Sequence, residues 1–166
     1  MTSLTSLTIR RAAAEDAETI FAFIRELAAF ERLLHEVEAD APTVAAALFG
    51  DAPKVFCDIA LWDGEPCGFA LWFNNFSTFS GRLGIYLEDL YVREAFRGRG
   101  VGKALIKALA ARCVTNGWSR LQWSVLDWND GAIAFYRSLG ADVLPDWRLC
   151  RVNGPALWAL AHHAAT

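Results

Sequence analysis

Residues 97–105 read RGRGVGKAL, three alternating glycines running directly into a helix-forming stretch. Upstream, RLGIYLEDLYV (82–92) is a β-rich run. Downstream, Val101, Leu105, Ala108, Leu109 and Cys113 fall on one helical face, with Lys103, Lys107 and Arg112 opposite. The glycines therefore form a strand-to-helix turn. Small residues there let backbone N–H groups converge on a phosphate, and the following helix aims its positive end at the same point. Two other glycine motifs fit less well. A P-loop needs a hydroxyl after Gly-Lys, and Ala104 follows Gly102 and Lys103. A dinucleotide fingerprint starting at Gly98 needs glycine where Lys103 stands, within a repeated βαβ series that is missing here.

Working outward, the chain alternates regular elements without linker, repeat or low-complexity tract. Thr5 to Arg10 reads as a short strand. From Ala13, the spacing Ile20, Phe23/Ile24, Leu27, Phe30, Leu34 predicts a helix, with Glu15 and Asp16 in its first turn near the positive dipole end. Asp40 caps a second helix, Pro42 to Leu48, ended by Gly50. VFCDIALW (55–62) and CGFALWF (67–73) are strands joined by the turn Asp63-Gly64-Glu65-Pro66. LQWSVL (121–126) is a strand, Asn129 caps a helix ending at Leu139-Gly140, WRLCRV (147–152) is a last strand, and Pro155 to Ala161 a terminal helix. The expected fold is α/β, one domain over residues 1–166 with a mixed sheet.

Composition bounds the function. The 166 residues are 54% hydrophobic and 13% aromatic, enough for a packed core. Sixteen Lys and Arg against nineteen Asp and Glu give a net charge of −3. A phosphate-gripping nucleic-acid binder carries a basic surplus, so no nucleic-acid partner is expected. The N-terminus MTSLTSLTIRR lacks a signal-peptide pattern and no run reaches a membrane span, so no membrane partner is expected either. Cys57, Cys67, Cys113 and Cys150 form no CxxC pair and share no ligand spacing with His35, His162 and His163. Buried free thiols and a cytoplasmic location, with no metal, are the reading.

Two further clusters carry chemistry. Glu88 and Asp89 sit side by side in the apolar strand 82–92, and neighbouring side chains point to opposite faces. An unpaired buried charge is costly, so the pair belongs where the sheet opens into a cleft. In WNDGAIAFYRSLGA (128–141), Ile133, Phe135 and Leu139 are core positions, and Tyr136 between them suits either packing or catalysis.

Together these pieces resemble the GCN5-related N-acetyltransferase (GNAT) superfamily. Arg97-Gly98-Arg99-Gly100-Val101-Gly102 matches its Arg/Gln-x-x-Gly-x-Gly/Ala loop, and Asn129…Phe135-Tyr136…Leu139-Gly140-Ala141 its following segment. Leu27 to Glu31, Tyr86 to Val92 and Trp147-Arg148-Leu149 are most similar to the spermidine/spermine (diamine) and thialysine branch. The resemblance implies a mostly antiparallel mixed sheet flanked by helices, with splayed central parallel strands, 82–92 and 121–126, holding acetyl-CoA. Its pyrophosphate would rest on the amides of Gly98 to Lys103. Its pantetheine would lie along Leu90, Tyr91 and Val92, with Asn129, Asp130, Gly131, Ala132 and Tyr136 closing the other side. Tyr136 would be the general acid. Glu31, Glu88 and Asp89 would hold or help deprotonate the amine, with Phe30 and Gln122 also at the substrate. A homodimer is implied, with Trp147, Trp158 and Leu160 supplying apolar contacts or packing in the core.

The thioester is already activated, so the difficult step is exposing the amine lone pair. An alkylammonium of pKa ~10.4 is almost wholly protonated at pH 7, a handicap of about 4–5 kcal/mol. Glu88 would attract the cation and relay its proton, a backbone N–H near Leu90 would steady the oxyanion, and Tyr136 would protonate the leaving thiolate. Leu144-Pro145-Asp146 supplies one acid before Trp147, where the diamine enzymes tend to place more. A shorter amine, such as thialysine, a lysine-like amine or a small diamine, therefore fits as well as a polyamine. Two alternatives keep the fold: a protein or peptide N-acetyltransferase, and a non-catalytic acyl-CoA sensor. Against the first, Phe30, Trp72, Phe73, Phe76 and Phe79 suggest an enclosed aromatic pocket rather than an open groove.

Overall fold

The structure, a computed structural model, describes residues 6–162. Thr5 and His163, named above, lie outside the described residues. The chain forms two compact units, Met1–Ser124 and Val125–Thr166.

The first unit is a five-stranded sheet between two helical layers. Its strands are β1 (Leu7–Arg11), β2 (Phe56–Trp62), β3 (Glu65–Ser77), β4 (Arg82–Val92) and β5 (Leu121–Gln122), in that spatial order. All neighbours run antiparallel except β4 and β5, which are parallel. Asp63 and Gly64, both at positive φ, make the tight β2–β3 turn that the Asp-Gly pair predicts.

Period-two alternation sorts the side chains to two cores. Cys57, Ile59 and Phe69 meet Ile20 and Phe23 of α1 (Ala17–Phe30) and Val44 and Leu48 of α2 (Ala41–Phe49). Ala60, Ala70, Trp72, Ile85 and Leu87 meet Val101, Leu105, Leu109 and Cys113 of α3 (Val101–Thr115) on the opposite face.

Helix α1 is shorter than its apolar spacing predicts. Arg32 takes a left-handed φ of 63°, and Leu34 falls in a separate 3-10 turn, 41% exposed. Asp16, expected to answer a helix dipole, is buried and receives both Arg10 guanidinium nitrogens at 2.6 and 2.8 Å. Those bonds hold its carboxyl below the ordinary carboxylate range. Asp40 caps α2 as expected, accepting the Thr43 N–H at 2.8 Å.

A second ionic anchor ties α3 to the sheet. Asp58, 1% exposed on β2, accepts Trp72 Nε1–H and an Arg112 N–H, each at 2.9 Å. Trp72 therefore belongs to the core, and Phe79, in the β3–β4 turn, is fully exposed. Neither lines an enclosed aromatic pocket, which corrects that expectation.

The second unit contains α4 (Asp130–Ser138) and α5 (Gly154–His162). WRLCRV (147–152) pairs with no strand of the described residues, contrary to its alternation. A strand exists only through a hydrogen-bonded neighbour. Trp147 and Leu149 stay 78% and 73% exposed, and Cys150 is exposed where the sequence reading expects a buried thiol. Cys57, Cys67 and Cys113 are buried and free.

Candidate active site

The glycine turn follows β4 through a single 3-10 turn, Glu94–Phe96. Gly98 and Gly100 adopt φ of 73° and 82°, a region that side-chain-bearing residues avoid. Nothing lies within 4 Å of where a Cβ would stand at either position, so the turn presents bare backbone. Gly100 is the N-cap of α3 and supplies no side-chain cap. The first intrahelical bond is Ala104 N–H to Gly100 O, which leaves the amides of Val101, Gly102 and Lys103 without a partner inside the helix. This is the geometry of an anion cradle.

Side chains fix the turn in place. Arg97 donates Nε–H to Val92 O at 2.9 Å and lies over the rings of Phe30 and Tyr91. Arg99 lies over Trp62 and Phe96. Just before the turn, Arg93 grips Glu26 of α1 with Nε at 3.1 Å and a terminal nitrogen at 2.9 Å. Sequence reasoning missed this Glu26–Arg93 pair, because ion pairs between distant elements leave no spacing signal.

Strand β4 is paired unequally along its two edges. Toward β3 it is bonded throughout, whereas β5 pairs only through Ile85–Leu121 and Tyr86–Gln122. Beyond that point, Leu87 to Val92 has no strand on the β5 side among the described residues. The sequence predicts six residues for strand 121–126, and two form it. Leu90 and Val92 pack toward the α3-side core, while Tyr91 approaches Phe23 on the α1 side.

A β-bulge sets the acids. Leu71 pairs with Asp89 while Trp72 pairs with Leu87, so Glu88 is the extra residue. Glu88 is exposed. Asp89 shares its face with Leu71 and Tyr91, the α1 side, and is half-buried. Burial pushes the Asp89 carboxyl up to about 7, aided by the charges of Glu88 and Glu31. Glu31, at the C-terminal cap of α1, is itself raised by burial. The two neighbouring acids expected in β4 are thus joined by a third from α1.

On the same sheet face, Phe73 stacks on Tyr86 with centroids 5.2 Å apart, and Tyr86 Oη lies 2.8 Å from Ser124 Oγ. Gln122, the register partner of Tyr86, accepts from Asn75 Nδ2 at 3.3 Å. Nothing in the sequence singles out Ser124 or Asn75, and Tyr86 enters the sequence reading only as the first residue of the Tyr86 to Val92 match.

Within the second unit, Asn129 Oδ1 accepts the Ala132 N–H at 3.1 Å, fulfilling its expected cap role. Asp130 occupies the first turn of α4. Tyr136 is half-buried beside Phe135, with ring centroids 5.3 Å apart. Of the expected site residues, the first unit therefore carries the glycine turn, the open β4 edge, Phe30, Gln122 and the acids. Asn129, Asp130, Gly131, Ala132 and Tyr136 belong to the second. Among the described residues no group of three His, Cys, Asp or Glu side chains is arranged to hold a metal ion. No described helix is long and apolar enough to cross a membrane.

Known proteins are similar to this chain in sequence and in fold. Residues 13–141 match the model of the Acetyltransferase (GNAT) family. The chain is 38% identical to a thialysine N-epsilon-acetyltransferase of Bos taurus, over 92% of this chain and 96% of that protein. It is 32% identical to the L-ornithine N5-acetyltransferase NATA1 of Arabidopsis thaliana, over 92% and 86%. Among solved structures, the aminoglycoside N-acetyltransferase AAC(6')-Iy in complex with CoA superposes with a TM-score of 0.73 at 19% identity, covering 93% of this chain and 99% of that one. The bare glycine turn, the open strand edge and the sequence agreement converge on one assignment: the chain belongs to the GNAT acetyltransferase family and is an acyltransferase enzyme.

Proposed function

We propose that the protein transfers acetyl from acetyl-CoA to the terminal primary amine of a small molecule of the thialysine, ornithine or small-diamine class. The observation that carries this reading is the gathering of Glu31, Glu88 and Asp89 beside a β4 edge that leads into the glycine turn. Burial, aided by the charges of Glu88 and Glu31, opposes ionisation of Asp89, and a cationic substrate relieves that opposition. The curated relatives named above act on amines of that class.

Acetyl-CoA, when bound, supplies an acetyl group already activated as a thioester. The turn fits its diphosphate: Gly98 and Gly100 keep the approach free of side chains, and Val101, Gly102 and Lys103 offer amides at a helix start. Arg97 and Arg99, stacked on aromatic rings, add positive charge beside them. Leu90, Tyr91 and Val92 offer backbone for the pantetheine arm. Asn129, Asp130, Gly131, Ala132 and Tyr136 of the second unit are assigned to the same co-substrate. Exposed Glu88 draws in the ammonium, Phe30, Glu31, Asp89 and Gln122 complete the amine's surroundings, and Tyr136 protonates the departing thiolate. Attack is direct, with no acyl-enzyme and no metal.

We read residues 1–166 as one acetyltransferase domain, since the family match runs across both units. We assign it to a homodimer, supported by the exposure of Trp147, Leu149, Trp158 and Leu160. A cytoplasmic site suits the three buried free thiols.

Release of free CoA thiol from acetyl-CoA is the deciding assay, run over putrescine, spermidine, thialysine, lysine, ornithine and an N-terminal peptide. Turnover is expected with the short amines. Turnover with the peptide alone would transfer the assignment to protein acetylation; acetyl-CoA binding without thiol release from any amine would make the protein a sensor.

A further inference from the structure

Resting on the amine reading above, we infer that Glu26 and Arg93 are a positioning pair, which fastens the acid-bearing end of α1 to the base of the glycine turn so that acetyl donor and amine strengthen each other's binding. Arg93 stands between β4 and the 3-10 turn Glu94–Phe96. All of its polar groups are engaged. Its N–H bonds to Cys67 O and its C=O accepts the Phe96 N–H, both at 2.9 Å. One terminal nitrogen reaches Pro66 O at 3.2 Å. The rest of the fork, Nε and the other terminal nitrogen, holds both Glu26 oxygens at 3.1 and 2.9 Å. The same guanidinium lies 4.7 Å from the ring centroid of Phe23. Strands β3 and β4 and helix α1 thus meet at one residue.

Glu26 also serves a second partner. The Tyr91 phenol is raised by burial and by the Glu26 carboxylate, to which it hydrogen-bonds. Arg97, four residues beyond Arg93, lies over Tyr91 and over Phe30, four residues beyond Glu26. Residues spaced four apart share a helix face, so α1 touches the segment before the glycine turn at two points one turn apart. One contact would let the helix end pivot. Two contacts fix its direction, and Glu31 comes next in the chain.

The Glu26 and Arg93 side chains are 33% and 34% exposed, and so exposed a pair adds little to global stability. What a bidentate fork supplies is geometry. With the pair intact, the ligand that arrives first orders the turn and the helix end together, and the second meets a site already ordered. Such coupling is reciprocal.

The test is calorimetric titration of CoA, with and without a saturating concentration of the best amine, in wild type, Glu26→Gln, Arg93→Gln and the double variant. Arg10→Gln is the control, because it breaks the ion pair at the other end of α1. In wild type the amine should tighten CoA about fivefold. Glu26→Gln and Arg93→Gln should each bring that factor close to one, and the double variant should do no more than either. CoA affinity without amine should stay within about twofold of wild type, which with thermal unfolding establishes that the variants are folded. Arg10→Gln should lower Tm yet keep the wild-type factor. If wild type shows no mutual tightening, if Arg93→Gln retains it, or if Arg10→Gln abolishes it, the inference is overturned while the acetyltransferase reading stands. If wild type releases no thiol with any amine, that reading falls and the inference with it.

Discussion

The Arg97 guanidinium lies 4.8 Å from the ring centroid of Phe30, joining the glycine turn to the last residue of α1. Glu31 follows immediately, so the glycine turn and the three-acid cluster share one mechanical link. An exposed cation–π contact contributes about 0.5–1 kcal/mol. Phe30→Leu is expected to raise KM for both acetyl-CoA and the amine by about two- to fivefold, with little change in kcat. Steady-state kinetics in both substrates check this.

Gly100 begins α3 at φ 82° with open space around it. Alanine there meets no clash but costs about 1–2 kcal/mol in the left-handed region. Gly100→Ala should weaken CoA binding about tenfold by calorimetry. Gly81→Ala, at φ 65° in the β3–β4 turn, should cost similar stability and leave CoA affinity unchanged.

Tyr136→Phe removes only the phenol hydroxyl. A lost general acid lowers kcat by about 100-fold or more, while the dissociation constant for acetyl-CoA should stay within about twofold. Pre-steady-state thiol release and calorimetry separate the two quantities. Unchanged turnover removes Tyr136 from the role.

Arg112→Met strips Asp58, 1% exposed, of its hydrogen-bonded cation and leaves it the Trp72 N–H and the nearby charge of Arg11. Breaking a buried ion pair costs about 3–5 kcal/mol, and Arg112 is one-third exposed, so about 3 kcal/mol is expected. Urea unfolding followed by tryptophan fluorescence measures it.

Two aspartates pull the stability–pH curve in opposite directions. The folded pKa of Asp89 is raised, to about 7, so its ionisation on going from pH 4 to pH 8 destabilises the fold. The folded pKa of Asp16 is lowered by Arg10, so its contribution is present above the unfolded carboxylate pKa and is lost as pH falls below it. Asp89→Asn should raise Tm at pH 8 and leave it nearly unchanged at pH 4.5. Asp16→Asn should lower Tm at pH 7 and matter less below pH 3.

Most of the sheet and its helices were legible because their signals are local. Asp63-Gly64 defines the hairpin, Asp40 and Asn129 cap their helices, and strand 82–92 emerges with its expected boundaries. Non-local features were not legible. The alternation of WRLCRV is genuine, but alternation cannot reveal whether a partner strand exists. Strand 121–126 is cut to two residues for the same reason. At the candidate site, residue types revealed the acids, yet their inequality depends on a register shift set by β3, which no property of residues 82–92 announces.

The eleven residues of β4 include one that the hydrophobic phase does not require. Excising the codon for residue 88 would join Leu87 directly to Asp89, restore an unbroken ladder and leave every flanking side chain on its present side. Folding thus places no premium on that length. A chain shortened by that one residue would keep both cores in phase and lose a single exposed carboxylate.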